Sequence, residues 1–139
     1  MSASTSAMIV LLAALAAATG VGVLVTRHSG RLRAAAPVSG ADTADLGLST
    51  SGPTIVHFTA QWCGPCGAVR RVVDQVCSDM PDVAHVEIDI DANPAAARQL
   101  SVLSLPTTFI FGADGRAHYR TSGVPKATDL RSALQPLLA

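Results

Sequence analysis

Charge is what the first part of this sequence lacks. Residues 1–26 contain no Asp, Glu, Lys or Arg, and every charged side chain of the 139-residue chain lies in 27–139. Acidic and basic residues number ten each. No basic excess is therefore available for a phosphate backbone, and we expect no nucleic-acid partner. Cysteine is scarce as well, and three cysteines exclude a fold held together by many disulfides.

The uncharged start contains one long apolar run, Met8–Val25. A helix of that length would span about 27 Å, close to the roughly 30 Å core of a bilayer. The sequence predicts an anchor at 1–26 with one transmembrane helix over about 8–25. The alternative is a cleaved signal peptide, but the positive n-region typical of such peptides is missing.

The flanks of this run predict its orientation in a cell membrane. Arg27, Arg31 and Arg33 follow the run, and no Lys or Arg precedes it. By the positive-inside rule, the single-pass anchor then leaves the following domain on the cytoplasmic side. The alternative is a domain on the extracytoplasmic side.

The remainder reads as a linker followed by an α/β domain. Residues 27–53 are rich in Ala, Ser, Gly and Pro, with a possible short strand in 30–35 and a helical turn in 41–48. Over 54–139 we predict a βαβ crossover, a β-hairpin and a final helix. This order gives a mixed central sheet with helices on both faces. The predicted strands are Thr54–Thr59, Ala84–Ile90, Thr107–Phe111 and Arg116–Arg120, and the predicted helices are Cys63–Ser78, 94–100 and Lys126–Leu138.

Two cysteines, Cys63 and Cys66, lie at CxxC spacing where the first helix of this domain begins. Unpaired N–H groups at a helix N-terminus favour a thiolate, which is the form that attacks a disulfide. The second cysteine is close enough to resolve a mixed disulfide. Zinc is the alternative, but one CxxC supplies two of the four ligands of a structural site, so we expect no metal. We interpret Cys77 as a small apolar core residue, and the alternative is a regulatory thiol.

This motif and its surroundings resemble the thioredoxin superfamily over about residues 54–139. The resemblance implies a thioredoxin-like fold in which Cys63 attacks and Cys66 resolves. It also implies a cis-proline at Pro106 beside the disulfide, with the backbone of Leu105 pairing with an extended substrate. The matching site residues are Trp62, Cys63, Gly64, Pro65 and Cys66, followed by Leu105, Pro106 and Thr107.

Two positions depart from the pattern of the family. Thioredoxins typically carry a buried aspartate where this chain has His57, and a lysine where it has Glu87. Acid and base have therefore exchanged strands. Our hypothesis is that Glu87 holds His57, which accepts the proton of Cys66 as the mixed disulfide resolves. The alternative is that both are polar residues of the core.

The expected function is a membrane-tethered protein-disulfide reductase, since the Gly-Pro dipeptide is typical of the reducing members. The Cys63–Cys66 couple would carry the electrons without a cofactor. Its partners would be protein disulfides and an electron-donating reductase or small thiol, and the oligomeric state stays open. One alternative is an extracytoplasmic protein that reduces apocytochrome or misoxidised proteins. Another is a non-catalytic membrane adaptor that uses a thioredoxin-like binding surface.

Overall fold

The computed structural model describes residues 3–38 and 40–139, so the first two residues of the predicted anchor lie outside it. Its elements follow the predicted order. They are α1 (Ala3–His28), β1 (Arg33–Ala34), α2 (Gly40–Thr43), β2 (Thr54–Thr59), α3 (Cys66–Asp79), β3 (Ala84–Asp89), α4 (Pro94–Gln99), β4 (Thr107–Phe111), β5 (Ala117–Ser122), α5 (Ala127–Leu134) and a 3-10 turn at Gln135–Leu138.

The five strands form one mixed sheet in the order β1-β5-β4-β2-β3. Strands β2 and β3 are parallel, whereas the other neighbouring pairs are antiparallel. Every residue of β2 and β4 is buried, as expected for central strands with both faces covered. The predicted α/β fold with a mixed sheet is confirmed.

Two apolar clusters lie on opposite faces of this sheet. On one face, Phe58, Phe109 and Phe111 pack with residues from and around α4. On the other face, Ile55 and Ile110 pack with the valines of α3 and the leucines of α5. The alternation of β2 therefore sends His57 and Ile55 toward α3 and sends Phe58 toward α4.

Helix α3 begins three residues later than predicted. The predicted helix started at Cys63, but the first helical residue is Cys66 and Pro65 occupies the capping position. Proline has no N–H to donate, and its carbonyl accepts the N–H groups of Ala68 at 3.1 Å and Val69 at 3.3 Å. Cys63 thus lies in the turn before the helix.

Strand β5 is also displaced from its predicted span of Arg116–Arg120. The Gly112 N–H donates to the Arg116 carbonyl at 2.9 Å, so Arg116 closes the hairpin turn instead of opening the strand. The strand starts at Ala117 and continues to Ser122, which pairs with Thr107.

Helix α1 is longer than its predicted span and stands apart from the two clusters. None of its residues is buried, and an 18-residue window within it has a mean hydropathy of 2.5. Length and composition make it a candidate membrane span or signal sequence.

The chain is fixed to the sheet directly after α1. The Gly30 N–H donates to the Ser122 carbonyl at 2.6 Å. Gly30 has a φ of +79°, and a Cβ at this position would lie 2.1 Å from the carbonyl oxygen of Val124. Both the backbone conformation and the close approach therefore require glycine.

We expect Gly30→Ala to weaken this junction, because the left-handed φ costs about 1 kcal/mol and the new methyl group meets backbone. The readout is limited trypsin cleavage at Arg31 and Arg33, which should accelerate. Gly47→Ala is the matched control, because Gly47 has a φ of +72° but open space at its Cβ position. Equal cleavage in both variants would contradict the prediction.

Candidate active site

Cys63 and Cys66 form a disulfide in the turn between β2 and α3, with their Cα atoms 5.5 Å apart. The Cys63 N–H donates to the Ala60 carbonyl at 3.1 Å. The two residues differ in accessibility: Cys63 is half-buried, whereas Cys66 is only 2% exposed. The Cys66 sulfur faces the Phe58 carbonyl oxygen at 3.9 Å. A protein disulfide can therefore approach the Cys63 sulfur more readily than that of Cys66.

The Leu105–Pro106 peptide bond is cis and immediately precedes β4. Phe58 near the end of β2 pairs with Thr107 at the start of β4, which places this segment and the cysteine turn at the same edge of the sheet. The Thr107 hydroxyl donates to the Ser104 carbonyl at 2.6 Å. The Pro106 carbonyl accepts the Gly123 N–H at 3.0 Å, and this bond ties the segment to the end of β5.

Trp62 leaves most of its indole ring in solvent, with 69% of the residue exposed. Its Nε1–H donates to the Asp91 carboxylate at 3.0 Å, which fixes the ring beside the cysteine turn. Leu103, two residues before the cis bond, is 93% exposed. Exposed aromatic and aliphatic side chains of this kind are suited to contact another protein.

His57 is fully buried, and neither ring nitrogen has a hydrogen-bond partner among the described residues. Burial lowers the pKa of His57 to about 4, against a raising effect of Glu87. The imidazole is therefore neutral at pH 7.

The predicted hydrogen bond between Glu87 and His57 is not formed, although the two residues pair across β2 and β3. The Glu87 carboxylate instead accepts two hydrogen bonds from the Arg70 guanidinium, one of them from Nε at 2.9 Å. A bidentate arginine–carboxylate pair is stronger than a bond to a neutral imidazole, and it holds the pKa of Glu87 below its usual range. Proton transfer from Cys66 to His57 stays a prediction, and Glu87 supports it only through its negative charge.

Sequence reasoning missed two residues of α3, Arg70 and Asp74, that contact the edge strand β3. Arg70 and Asp74 lie one helical turn apart, and Asp74 Oδ1 is 3.4 Å from His85 Nδ1. The signal was present, since His85 and Glu87 alternate along β3 on one face and Arg70 and Asp74 share a face of α3. The packing of α3 over β3 was the part that no local pattern could indicate.

The third cysteine, Cys77, is partly buried and packs against the α3–α5 cluster. Burial raises the pKa of its thiol, and Asp74 raises it further. Because a thiolate is the reactive form, the raised pKa makes Cys77 a weaker nucleophile, as expected for a packing residue.

The fold and the dithiol turn define a thiol–disulfide oxidoreductase domain, and comparison with known proteins gives the same class. The model of the thioredoxin family matches residues 42–136. Thioredoxin from Mycolicibacterium smegmatis is 43% identical over 67 residues, which are 46% of this chain and 60% of that protein. Thioredoxin 1 from Synechococcus elongatus is 40% identical over 82 residues, or 58% of this chain and 77% of the relative.

Solved structures of thioredoxins are similar to this chain as well. Chloroplastic thioredoxin z is 34% identical with a TM-score of 0.57, and the match covers 63% of this chain and 79% of the other. A mutant thioredoxin from Halobacterium salinarum is 30% identical with a TM-score of 0.59, and the match covers 66% of this chain and 79% of the other. The chain therefore belongs to the thioredoxin family.

The buried neutral histidine makes stability depend on pH. Below pH 6.5 the unfolded chain protonates His57, whereas the folded chain does so only near pH 4. As the pH drops from about 6.5 to 4, the free energy of unfolding should therefore decrease by on the order of 1–3 kcal/mol. Below pH 4, the titration of His57 should cause no further decrease. The groups facing His57 are Glu87 and His85 from β3 and Arg70 and Asp74 from α3.

This pH dependence is measured as the urea midpoint of the full chain in nonionic detergent, followed by near-ultraviolet circular dichroism. EDTA is present to remove metal ions, so that only protons bind the imidazole of His57. His57→Leu should flatten the curve, and His118→Gln, in the β4–β5 hairpin, should not. An unchanged slope in His57→Leu would contradict the assignment.

Proposed function

We propose that this protein is a membrane-tethered protein-disulfide reductase. The observation that carries the proposal is the pairing of a half-buried Cys63 with a buried Cys66, next to a cis-proline segment at the same sheet edge. One sulfur is available to a substrate, and the other is held back for the second step.

The reaction moves two electrons from the dithiol to a substrate disulfide. The Cys63 thiolate attacks one substrate sulfur, so a Cys63–substrate disulfide forms while the substrate disulfide breaks and its other sulfur leaves as a thiolate. The Cys66 thiolate then attacks the Cys63 sulfur, which forms the Cys63–Cys66 disulfide and releases the second substrate thiol. A reductase or small thiol must return two electrons, and we propose that no organic cofactor takes part.

Substrate recognition would use backbone and apolar contacts. An extended segment would pair with the backbone of Leu105 beside Pro106 and Thr107, while Trp62 and Leu103 supply apolar surface. Backbone pairing does not select side chains, which suits a reductase that acts on several proteins.

Helix α1 would be the membrane anchor, and the domain that follows it would lie on the cytoplasmic side. An uncharged helix followed by Arg27, Arg31 and Arg33 supports this orientation. A reductase fits a compartment in which thiols are kept reduced. An extracytoplasmic location would require electrons from across the membrane, and a non-catalytic adaptor would have no use for both thiols.

Replacing the resolving cysteine should stop the reaction halfway. In Cys66→Ser the mixed disulfide cannot resolve, so we expect substrate proteins to accumulate as adducts of Cys63 on non-reducing gels. Turnover of a model protein disulfide should fall by several orders of magnitude. Cys63→Ser should form no adducts, and Cys77→Ala should behave like the natural chain. Adducts that persist in Cys63→Ser would refute the assigned roles, and phenotypic rescue by Cys63→Ser would favour the adaptor.

The side of the membrane can be read from Cys63 itself. In a Cys77→Ala background, intact cells are mildly reduced and treated with a membrane-impermeant maleimide. We expect labelling of Cys63 only after lysis, because the arginines keep the domain in the cytoplasm. Labelling of intact cells would contradict the proposed orientation, and it would leave the proposed reductase chemistry unaffected.

A further inference from the structure

We infer that His57, His85 and Glu87 form a zinc-binding site at the edge of the sheet beneath α3. His57 lies on β2, and the other two residues lie on the neighbouring strand β3, on the same face. One ligand atom from each residue lies within 4.8 Å of the others. Two imidazoles and a carboxylate are a donor set that binds zinc. The site uses neither Cys63 nor Cys66, but a His57 that binds zinc cannot also accept the proton of Cys66.

Buried nitrogens without partners point to a ligand at this place. Both ring nitrogens of His57 and Nε2 of His85 are buried without a hydrogen-bond partner among the described residues. A buried polar atom left unpaired is costly, and nearly all such atoms in native proteins find a partner. A bound water is the alternative occupant, and the experiment below separates it from a metal ion.

The surroundings of the histidines suit a metal ion. Asp74 Oδ1 lies 3.4 Å from Nδ1 of His85, which leaves Nε2 free to ligate. A carboxylate that holds the second nitrogen of a ligating histidine is a recurrent feature of zinc sites.

To bind the metal ion, the Glu87 carboxylate must first release its hydrogen bonds with Arg70. The Arg70 side chain is 50% exposed and can turn into solvent when a divalent cation takes its place. The two carboxylates of Glu87 and Asp74 then balance the double positive charge. Ligand atoms around tetrahedral zinc lie about 3.3 Å apart, so the cluster contracts on binding. The fourth position would be held by water, since Glu87 lies at the open edge of the sheet.

The test uses the full chain in nonionic detergent, in the oxidised form and with Cys77→Ala, so that no thiol can bind metal. Zinc affinity is measured by competition with a chromophoric chelator, and cobalt is used as a spectroscopic probe of the coordination. We expect one equivalent of Zn²⁺ and a visible Co²⁺ spectrum of four-coordinate type. His85→Gln should weaken binding at least tenfold, and Asp74→Asn should weaken it about tenfold.

Two further variants keep the proposal falsifiable if a histidine variant folds poorly. Arg70→Gln should tighten binding, because it frees Glu87 from its competitor. His118→Gln is the matched control, because His118 also faces a carboxylate, that of Asp114 at 3.6 Å, and should leave affinity unchanged. No one-to-one binding, affinity insensitive to His85→Gln, or no gain in Arg70→Gln would each overturn the site; the first result would leave water as the occupant.

Discussion

The buried central strand β2 is the constraint on which the rest of the structure depends. It pairs on both sides, with β3 in parallel and β4 antiparallel, and its two faces supply both apolar clusters. Its end delivers the chain into the cysteine turn, and its register sets Phe58 opposite Thr107 and thereby brings Pro106 to the same edge. A one-residue slip would exchange His57 with its neighbours and move every side chain to the other face.

Local patterns were sufficient for most of the fold. The β-branched run from Thr54 to Thr59 and the turn residues around Gly112–Gly115 each indicate one structure, and the elements form there. The start of α3 escaped prediction because periodicity cannot distinguish a cysteine in the first turn from one in the loop before it. That distinction depended on the carbonyl of Pro65, whose hydrogen bonds are a property of the folded backbone.

The chemistry divides in the same way. Cys63 and Cys66 lie in one motif, so CxxC spacing was enough to single them out, whereas Pro106 followed only from the resemblance to the thioredoxin superfamily. The surroundings of His57 arise from packing, because Arg70 and Asp74 reach Glu87 and His85 only when α3 lies over β3. The expectation of no metal considered a site built on the CxxC motif, to which His57 and Cys77 could add ligands in composition only. A site made of His57, His85 and Glu87 without those cysteines was outside that count.

If α1 anchors the chain in a membrane, the junction at Gly30 limits how far the dithiol can move from the bilayer. Gly30 is bonded to Ser122, and the next residue, Gly123, is bonded to Pro106. In a chain anchored through α1, the end of the helix and the proposed substrate-pairing segment would thus be connected through these two hydrogen bonds. Such a reductase would reach molecules close to the bilayer surface and would not reach those farther out in solution. Under the proposed function, its substrates would be disulfides close to the bilayer surface.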